Sequence, residues 1–133
     1  MSALAYKAYK NTMQHTASPR DIELQVFKRI TATLRAIDTT RPGGFSDLAS
    51  ALQENLTLWQ TLMIDVIDPE NPHPQELKAG IANLAEFVRQ QTHKIMAGEG
   101  DLEALLDVND IIITGLQAQA ETSPETGAEE NVA

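Results

Sequence analysis

Histidine side chains are the most versatile chemical groups in this sequence, but their spacing favours neither a metal site nor a catalytic site. His15, His73 and His93 each stand alone in their segment, with no second histidine four residues away. Zinc sites in helical proteins usually need closely spaced ligands, and there is no cysteine to supply them. His73 lies between two prolines, where a turn is expected. The histidines therefore predict neither a metal site nor a catalytic base.

Acidic residues are numerous, but their arrangement also has structural explanations. Asp65 and Asp68 are three residues apart and could share a helix face. However, Asp68 precedes Pro69, a common position for aspartate at the start of a turn. A second group lacks the central glycine and final glutamate of a calcium-binding loop and is expected to be a solvated helix start. It comprises Asp101, Glu103, Asp107 and Asp110.

Nucleophiles and phosphate-binding loops are not indicated either. No serine or threonine lies in a nucleophile-elbow pattern. The Gly43-Gly44 pair follows no predicted strand and lacks the Lys-Ser/Thr of a P-loop. We therefore predict that the protein is not an enzyme and has no cofactor.

The composition is typical of a helical protein. Of the 133 residues, 42% are hydrophobic but only 5% are aromatic, and β-branched residues do not dominate. Such a mixture favours helices filled with leucine, isoleucine and alanine over sandwiches or barrels. No apolar run reaches the ~20 residues of a membrane span, and no signal peptide is evident. The expected location is the cytoplasm.

Local signals predict where the helices begin and end. Ser18-Pro19 is a strong start, and that helix should run to about Ile37. Ser46 should cap the next helix, and Pro74 should be the first residue of another that ends near Gly98. Asp101 should cap the last helix. The prolines between Asp68 and Pro74 require an extended connection.

The central helix carries the most apolar face in the sequence. Leu48, Leu52, Leu56, Trp59, Leu62, Met63 and Val66 recur every three or four residues. With the flanking helices and an N-terminal one over residues 3–14, it predicts an all-α fold, a small helical bundle of about five helices. The domain should span residues 1–118, and residues 119–133 should form a disordered acidic tail.

The two ends of the chain carry opposite charge. Residues 1–20 contain Lys7, Lys10 and Arg20 but no acid, whereas residues 121–133 contain four glutamates and no base. These ends could simply be solvated, or they could make electrostatic contacts with a partner or with each other. The net charge of −9 disfavours direct binding to nucleic acid.

Two asparagines interrupt apolar helix faces. Asn55 falls between Leu52 and Trp59, and Asn109 between Leu106 and Ile113. A buried asparagine without partners costs about 1–3 kcal/mol, so two alternatives remain. Each amide could be satisfied inside the bundle, where it would fix helix register. Alternatively, these faces could form an open groove that binds a partner.

Five short segments, in the same order, resemble the FlaF family of flagellar biosynthesis regulators. They are Thr16–Glu23, Asn55–Trp59, Asn71–Pro74, Ile81–Leu84 with Phe87-Val88, and Asp107–Asn109 followed by Gly115-Leu116. The resemblance covers about Tyr6 to Leu116. Where this chain has His73, the family pattern is expected to have a leucine-like residue. The acidic tail is an addition to the family pattern.

The resemblance implies a non-enzymatic cytoplasmic factor that promotes flagellin synthesis and secretion. One form of this role is an export chaperone that covers the amphipathic terminal helices of flagellin in an apolar groove. The alternative is an adaptor or antagonist of the flagellin translational regulator FlbT that does not bind flagellin. Direct binding of messenger RNA is the least favoured because of the protein's acidity.

The partner surface is expected near the central helix and on the N-terminal segment. The candidate partner-binding residues are Tyr6, Tyr9, Met13, Asn55, Trp59, Met63, Phe87 and Asn109. The expected partner is flagellin, with a FlbT-type regulator as the alternative.

Overall fold

The computed structural model describes residues 19–121, with side chains described from residue 21 to 118. This part of the chain contains four α-helices and no strand: α1 (Pro19–Ala36), α2 (Gly44–Ile67), α3 (Gln75–Met96) and α4 (Leu102–Glu121). The predicted all-α fold is confirmed. The predicted helix over residues 3–14 lies outside the described residues, as does the tail from residue 122. The sequence predicts a disordered tail from residue 119, whereas helix α4 continues to Glu121.

The four helices pack as a closed ring in the order α1, α2, α3, α4, with α4 returning to α1. The pairing of α1 with α4 is the most extensive, and that of α3 with α4 the least. Loops of only seven, seven and five residues join successive helices, which therefore run antiparallel. The short loops place the first turn of α1, the end of α2, the start of α3 and the end of α4 together at one end of the bundle. None of the helices between residues 19 and 121 combines the length and apolarity needed to cross a membrane.

Helix α2 supplies the centre of the core. Its apolar stripe faces inward, and Trp59 is only 1% exposed. The rings of Trp59 and Phe27, which lies on α1, make a T-shaped contact with centroids 5.5 Å apart and planes at 86°. Burying a large apolar side chain in this way stabilises a fold by about 1.5–3 kcal/mol, and edge-to-face geometry adds to it. The sequence signal and the packing therefore agree for this helix.

The start of α2 differs from the prediction. Ser46 is not the N-cap, because the helix begins two residues earlier, at Gly44. Gly43 is the N-cap residue, with φ of 80° and no side-chain capping bond. A Cβ on Gly44 would lie 2.2 Å from the carbonyl oxygen of Asp38, so only glycine fits there. The two glycines thus have separate structural roles, one at a positive φ and one at a close backbone approach.

The connection between α3 and α4 follows its local signals closely. Gly98 has φ of 81° and donates to the Ile95 carbonyl at 3.0 Å, while the Glu99 amide donates to the Lys94 carbonyl at 2.8 Å. This pair of bonds is the Schellman ending that glycine favours. Asp101 Oδ1 then accepts from the Ala104 amide at 3.3 Å, which confirms Asp101 as the cap of α4.

The proline-rich loop between α2 and α3 is held by side-chain bonds to its own backbone. Asp68 Oδ1 accepts from the Glu70 amide at 2.9 Å, and Asn71 Oδ1 accepts from the His73 amide at 3.0 Å. The Asn71 amide nitrogen also donates to the Asp65 carbonyl at 3.0 Å, which ties the loop to the end of α2. Asp68 therefore has the turn role expected from its position before proline. Helix α3 begins at Gln75, one residue after its predicted start.

Candidate functional site

A buried polar network lies at the centre of the bundle and contains three of the predicted site residues. Asn109 on α4 accepts from the Trp59 indole nitrogen at 2.9 Å. Its amide nitrogen donates to Asn55 Oδ1 at 2.8 Å and to Thr31 Oγ1 at 3.0 Å. The network therefore links α1, α2 and α4 through one side chain. Asn55 and Asn109 are both 0% exposed.

The directions of these bonds fix the orientation of both amides. Asn109 must turn its oxygen towards Trp59 because an indole nitrogen only donates. Its nitrogen then faces Asn55, which must present its oxygen in return. The Asn55 amide nitrogen consequently points elsewhere and has no hydrogen-bond partner among the described residues. Asn109 is the centre of the network, and Asn55 is a peripheral, incompletely paired member.

The burial of these residues distinguishes the two interpretations of the asparagines. Neither Asn55 nor Asn109 reaches the surface of the closed bundle, so neither can contact a partner directly there. Both belong to the interior, where pairing across three helices favours one helix register over others. Their hydrogen bonds are made inward, and a role for either residue in partner binding stays a prediction.

The surface feature closest to the predicted site is a groove between α2 and α3, called the α2–α3 groove below. It has a volume of about 510 Å³ and is lined mainly by apolar side chains. Its lining residues are Leu56, Trp59, Gln60, Met63, Ile64, Ala82, Ala85, Glu86 and Arg89. Ile64 is 66% exposed and is one of several large apolar side chains that are exposed among the described residues.

Trp59 therefore contributes to two environments. Its indole nitrogen is bonded inside the core, and the residue also lines the base of the groove, although it is almost fully buried. Met63, which is half-buried, lies in the same floor. Across from them, Ala82 and Ala85 are short side chains that leave α3 open to close approach. The groove brings together two predicted residues, Trp59 and Met63.

Of the remaining predicted residues, the described ones do not line the groove. Phe87 is half-buried and packs against the core cluster. Tyr6, Tyr9 and Met13 lie outside the described residues. The structure therefore unites Trp59 and Met63 at one surface and places Phe87 elsewhere on α3.

An ion pair stands on the α3 side of the groove. Arg89 donates to both carboxylate oxygens of Glu86, at 2.7 and 2.6 Å, and Gln90 donates to the same carboxylate at 3.1 Å. These hydrogen bonds lower the pKa of Glu86 to about 2, with the Arg89 bond as the largest cause. The Glu86 carboxylate is therefore charged throughout the physiological pH range. At the rim of the groove it forms an ion pair with Arg89 rather than an isolated charge.

A second cavity, called the end cavity below, lies where α1 begins and α2 ends. It has a volume of about 350 Å³ and an apolar floor that includes Leu62, Leu77 and Ile81. Four acidic residues also line it: Glu23, Asp65, Asp68 and Glu70. No lysine or arginine is present among the described residues that line it. The end cavity is thus lined by both apolar and acidic side chains.

The acidic residues of the end cavity and the described histidines, His73 and His93, do not form a metal site; His15 lies outside the described residues. Glu70 and His73 have a Glu-x-x-His spacing, but they lie in the proline-rich loop rather than on a helix, where that spacing would align two ligands. Between residues 19 and 121, no group of three or more histidine, aspartate or glutamate residues is placed to hold a metal ion.

Two residues of this region were not selected from the sequence. Thr31 completes the buried network and, like the asparagines, is a polar residue beside the apolar stripe of its helix. Ile64 flanks the apolar stripe of α2. Its position beside the stripe was the sequence feature that could have predicted its exposure. The surface that it forms with α3 required knowledge of the neighbouring helix.

Comparison with known proteins gives a family assignment. Searches of curated proteins and of solved structures found no match. The family described as flagellar protein FlaF matches residues 5–116, which includes all of α1, α2 and α3 and most of α4. Because the match covers most of the 133 residues, the chain belongs to the FlaF family of flagellar proteins.

Proposed function

We propose that this protein is a non-enzymatic cytoplasmic factor that promotes flagellin synthesis and secretion by binding flagellin as an export chaperone. The α2–α3 groove is the observation that supports this role best. It is a mainly apolar surface between two helices of a member of a flagellar family. The expected ligand is an amphipathic terminal helix of flagellin.

The groove has the features of a helix-in-groove site. Its floor offers Met63, beneath which Trp59 is buried, and Ala82 and Ala85 allow a partner helix to approach closely. Ile64 stands at the edge, where a bound helix would remove its exposed surface from water. Gln60, Glu86 and Arg89 supply the polar rim that usually surrounds an apolar contact.

A matched pair of substitutions tests the groove. Ile64→Lys places a charge at its edge, and Ile111→Lys makes the same change at a 58% exposed isoleucine on α4 that does not line the groove. We expect Ile64→Lys to weaken flagellin binding at least about tenfold, because the bound helix would bury the isoleucine side chain and a charged lysine would replace that apolar contact. Ile111→Lys should bind as the unsubstituted chain does. Calorimetric titration with purified flagellin gives both affinities.

The ligand segment is tested with flagellin that lacks its terminal helices. Binding should be lost with this truncated flagellin and retained with the full-length protein. Equal binding of the two would contradict the terminal-helix proposal, and equal effects of the two lysine variants would exclude the groove. Binding to a FlbT-type regulator with no flagellin complex would instead favour the adaptor role.

A further inference from the structure

Helix α2 carries a second stripe of regularly spaced residues, which faces outward and is called the outer seam below. Its members follow one another at intervals of four or three residues, the spacing that keeps side chains on one face of a helix and that recurs where two helices pack lengthwise. They are Phe45, Ala49, Gln53, Leu56, Gln60, Met63 and Ile67. None of them is buried, and the end members Phe45 and Ile67 are 53% and 68% exposed. The outer seam therefore extends along nearly the whole of α2.

The outer seam contains no charged residue. The charged residues of α2 are Asp47, Glu54 and Asp65, and their spacings of seven and eleven residues place them together on a different face of the helix. Glu54 on that face pairs with Arg29 of α1 at 3.6 Å. A helix face in contact with water usually carries charged residues, whereas charged residues are depleted at the centre of an interface. The composition of the outer seam is therefore typical of a contact face.

The α2–α3 groove uses only the middle of the outer seam. Leu56, Gln60 and Met63 line the groove, whereas Phe45 and Ile67 do not. The residues that line the groove are fewer than the roughly 20–30 on each side of a stable protein–protein interface. A contact confined to the groove would therefore be small, and the remainder of the outer seam supplies the additional surface that a stable complex needs.

Helix α3 provides apolar surface beside the far end of the outer seam. Met96 is 41% exposed and follows Arg89 by seven residues, so it lies on the same face of α3 as that residue of the groove rim. Because α2 and α3 run antiparallel, the end of α3 lies beside the start of α2, which carries Phe45. Exposed apolar residues thus continue beyond the groove on both helices.

We propose that the partner helix lies along the whole outer seam, from Phe45 to Ile67, rather than within the α2–α3 groove alone. This inference rests on the function proposed above and gives the terminal helix of flagellin a minimum length and a contact face. The rise from Phe45 to Ile67 is about 33 Å, so the bound part of the partner helix has about six turns. Its contact face is free of charge, since a charged side chain there would lose its water without gaining an ionic partner.

Lysine substitutions at the two ends of the outer seam test its extent in the full chain. Phe45→Lys and Ile67→Lys lie on the seam but outside the groove. We expect each to weaken the binding of full-length flagellin at least about fivefold, because the bound helix would cover these apolar side chains. Ile111→Lys, at a 58% exposed isoleucine on α4, is the matched control and should bind normally. Urea denaturation of the three variants verifies that each remains folded.

A spin label measures the same contact without a charge change. Gln53 is an exposed residue of the outer seam that does not line the groove, and the sequence has no cysteine, so Gln53→Cys carries a nitroxide at one site. Flagellin should broaden the electron paramagnetic resonance spectrum of this label and leave the label at Ile111→Cys unchanged. A selective loss of binding by the Gln53 label would also place this residue in the contact. A label at Gln53 that stays mobile in the complex would overturn the proposal.

The outcomes separate this inference from the proposed function. If Ile64→Lys weakens binding while Phe45→Lys and Ile67→Lys behave like Ile111→Lys, the contact is confined to the groove and only the inference fails. Absence of any complex between flagellin and the unsubstituted chain would contradict the proposed function itself. The alternative occupant of the outer seam is a second copy of this chain. A dimer of the isolated protein in sedimentation, dispersed by Phe45→Lys, would assign the seam to self-association and overturn the proposal.

Discussion

Trp59 on α2 donates its indole N–H to Asn109 Oδ1 on α4 across the core, at 2.9 Å. The bond connects two helices that are diagonal in the ring, and Asn109 extends it to Asn55 and Thr31. A hydrogen bond at this depth is made without competing water, and its loss would leave buried polar groups unpaired. The Trp59–Asn109 bond therefore favours one helix register. It lies on the core side of the α2–α3 groove, which Trp59 lines.

Replacement of the two buried asparagines by alanine should have unequal effects. Both side chains are 0% exposed, so replacement by alanine would leave a cavity of similar size at either position. Asn109 makes three hydrogen bonds, whereas Asn55 makes one and has an unpaired amide nitrogen. We expect Asn109→Ala to lower the free energy of unfolding by about 2 kcal/mol more than Asn55→Ala does. Urea denaturation followed by Trp59 fluorescence measures both, and equal losses would contradict the central role of Asn109.

Trp59→Phe should separate the hydrogen bond from the packing. Phenylalanine retains a ring against Phe27 but leaves Asn109 Oδ1 without its indole donor in the core. We expect a loss of about 1–3 kcal/mol in the free energy of unfolding. Circular dichroism during denaturation measures it, since the variant has no tryptophan. Trp59→Phe combined with Asn109→Ala should cost less than the sum of the single changes, and strict additivity would argue against coupling.

Gly44→Ala should destabilise the loop between α1 and α2. The added Cβ would lie 2.2 Å from Asp38 O and 2.8 Å from Thr39 Cα, and both are backbone atoms that move only with the loop. We expect a cost of about 1–3 kcal/mol by thermal or urea denaturation. Gly80→Ala is the matched control within α3, because its Cβ would meet nothing within 4 Å. It should instead stabilise the protein by about 0.5–1 kcal/mol.

The pKa of Glu86 should be about 2 in the folded protein, against a usual value of 4.5. Since folding lowers this pKa, the ion pair stabilises the fold above pH 4.5, and its contribution is lost as the pH falls from there towards 2. The pair is exposed, so the effect on stability should be small. NMR titration of the Glu86 carboxyl measures the pKa directly. Arg89→Gln should raise it towards its usual value, and an unchanged pKa would show that Arg89 is not the cause.

The local sequence determined the helices and most of their ends. Pro19, Pro74, Gly98 and Asp101 act on the backbone within a few residues, so their effects could be predicted without knowledge of the packing. The spacing of the apolar residues likewise predicted which face of α2 is buried, including Trp59. Ser46 shows the limit of such signals. A capping residue was available there, but the close approach of Gly44 to Asp38 started the helix earlier.

The tertiary structure decided what lies opposite each side chain. The sequence showed asparagines on apolar faces but could not say that Asn109 would bond Trp59, Asn55 and Thr31, which are 50 to 78 residues away. It showed Met63 and Ile64 without revealing that Ala82 and Ala85 form the other wall of a groove. Helix formation depends on neighbours along the chain, whereas a buried amide or a groove depends on which helices pack together.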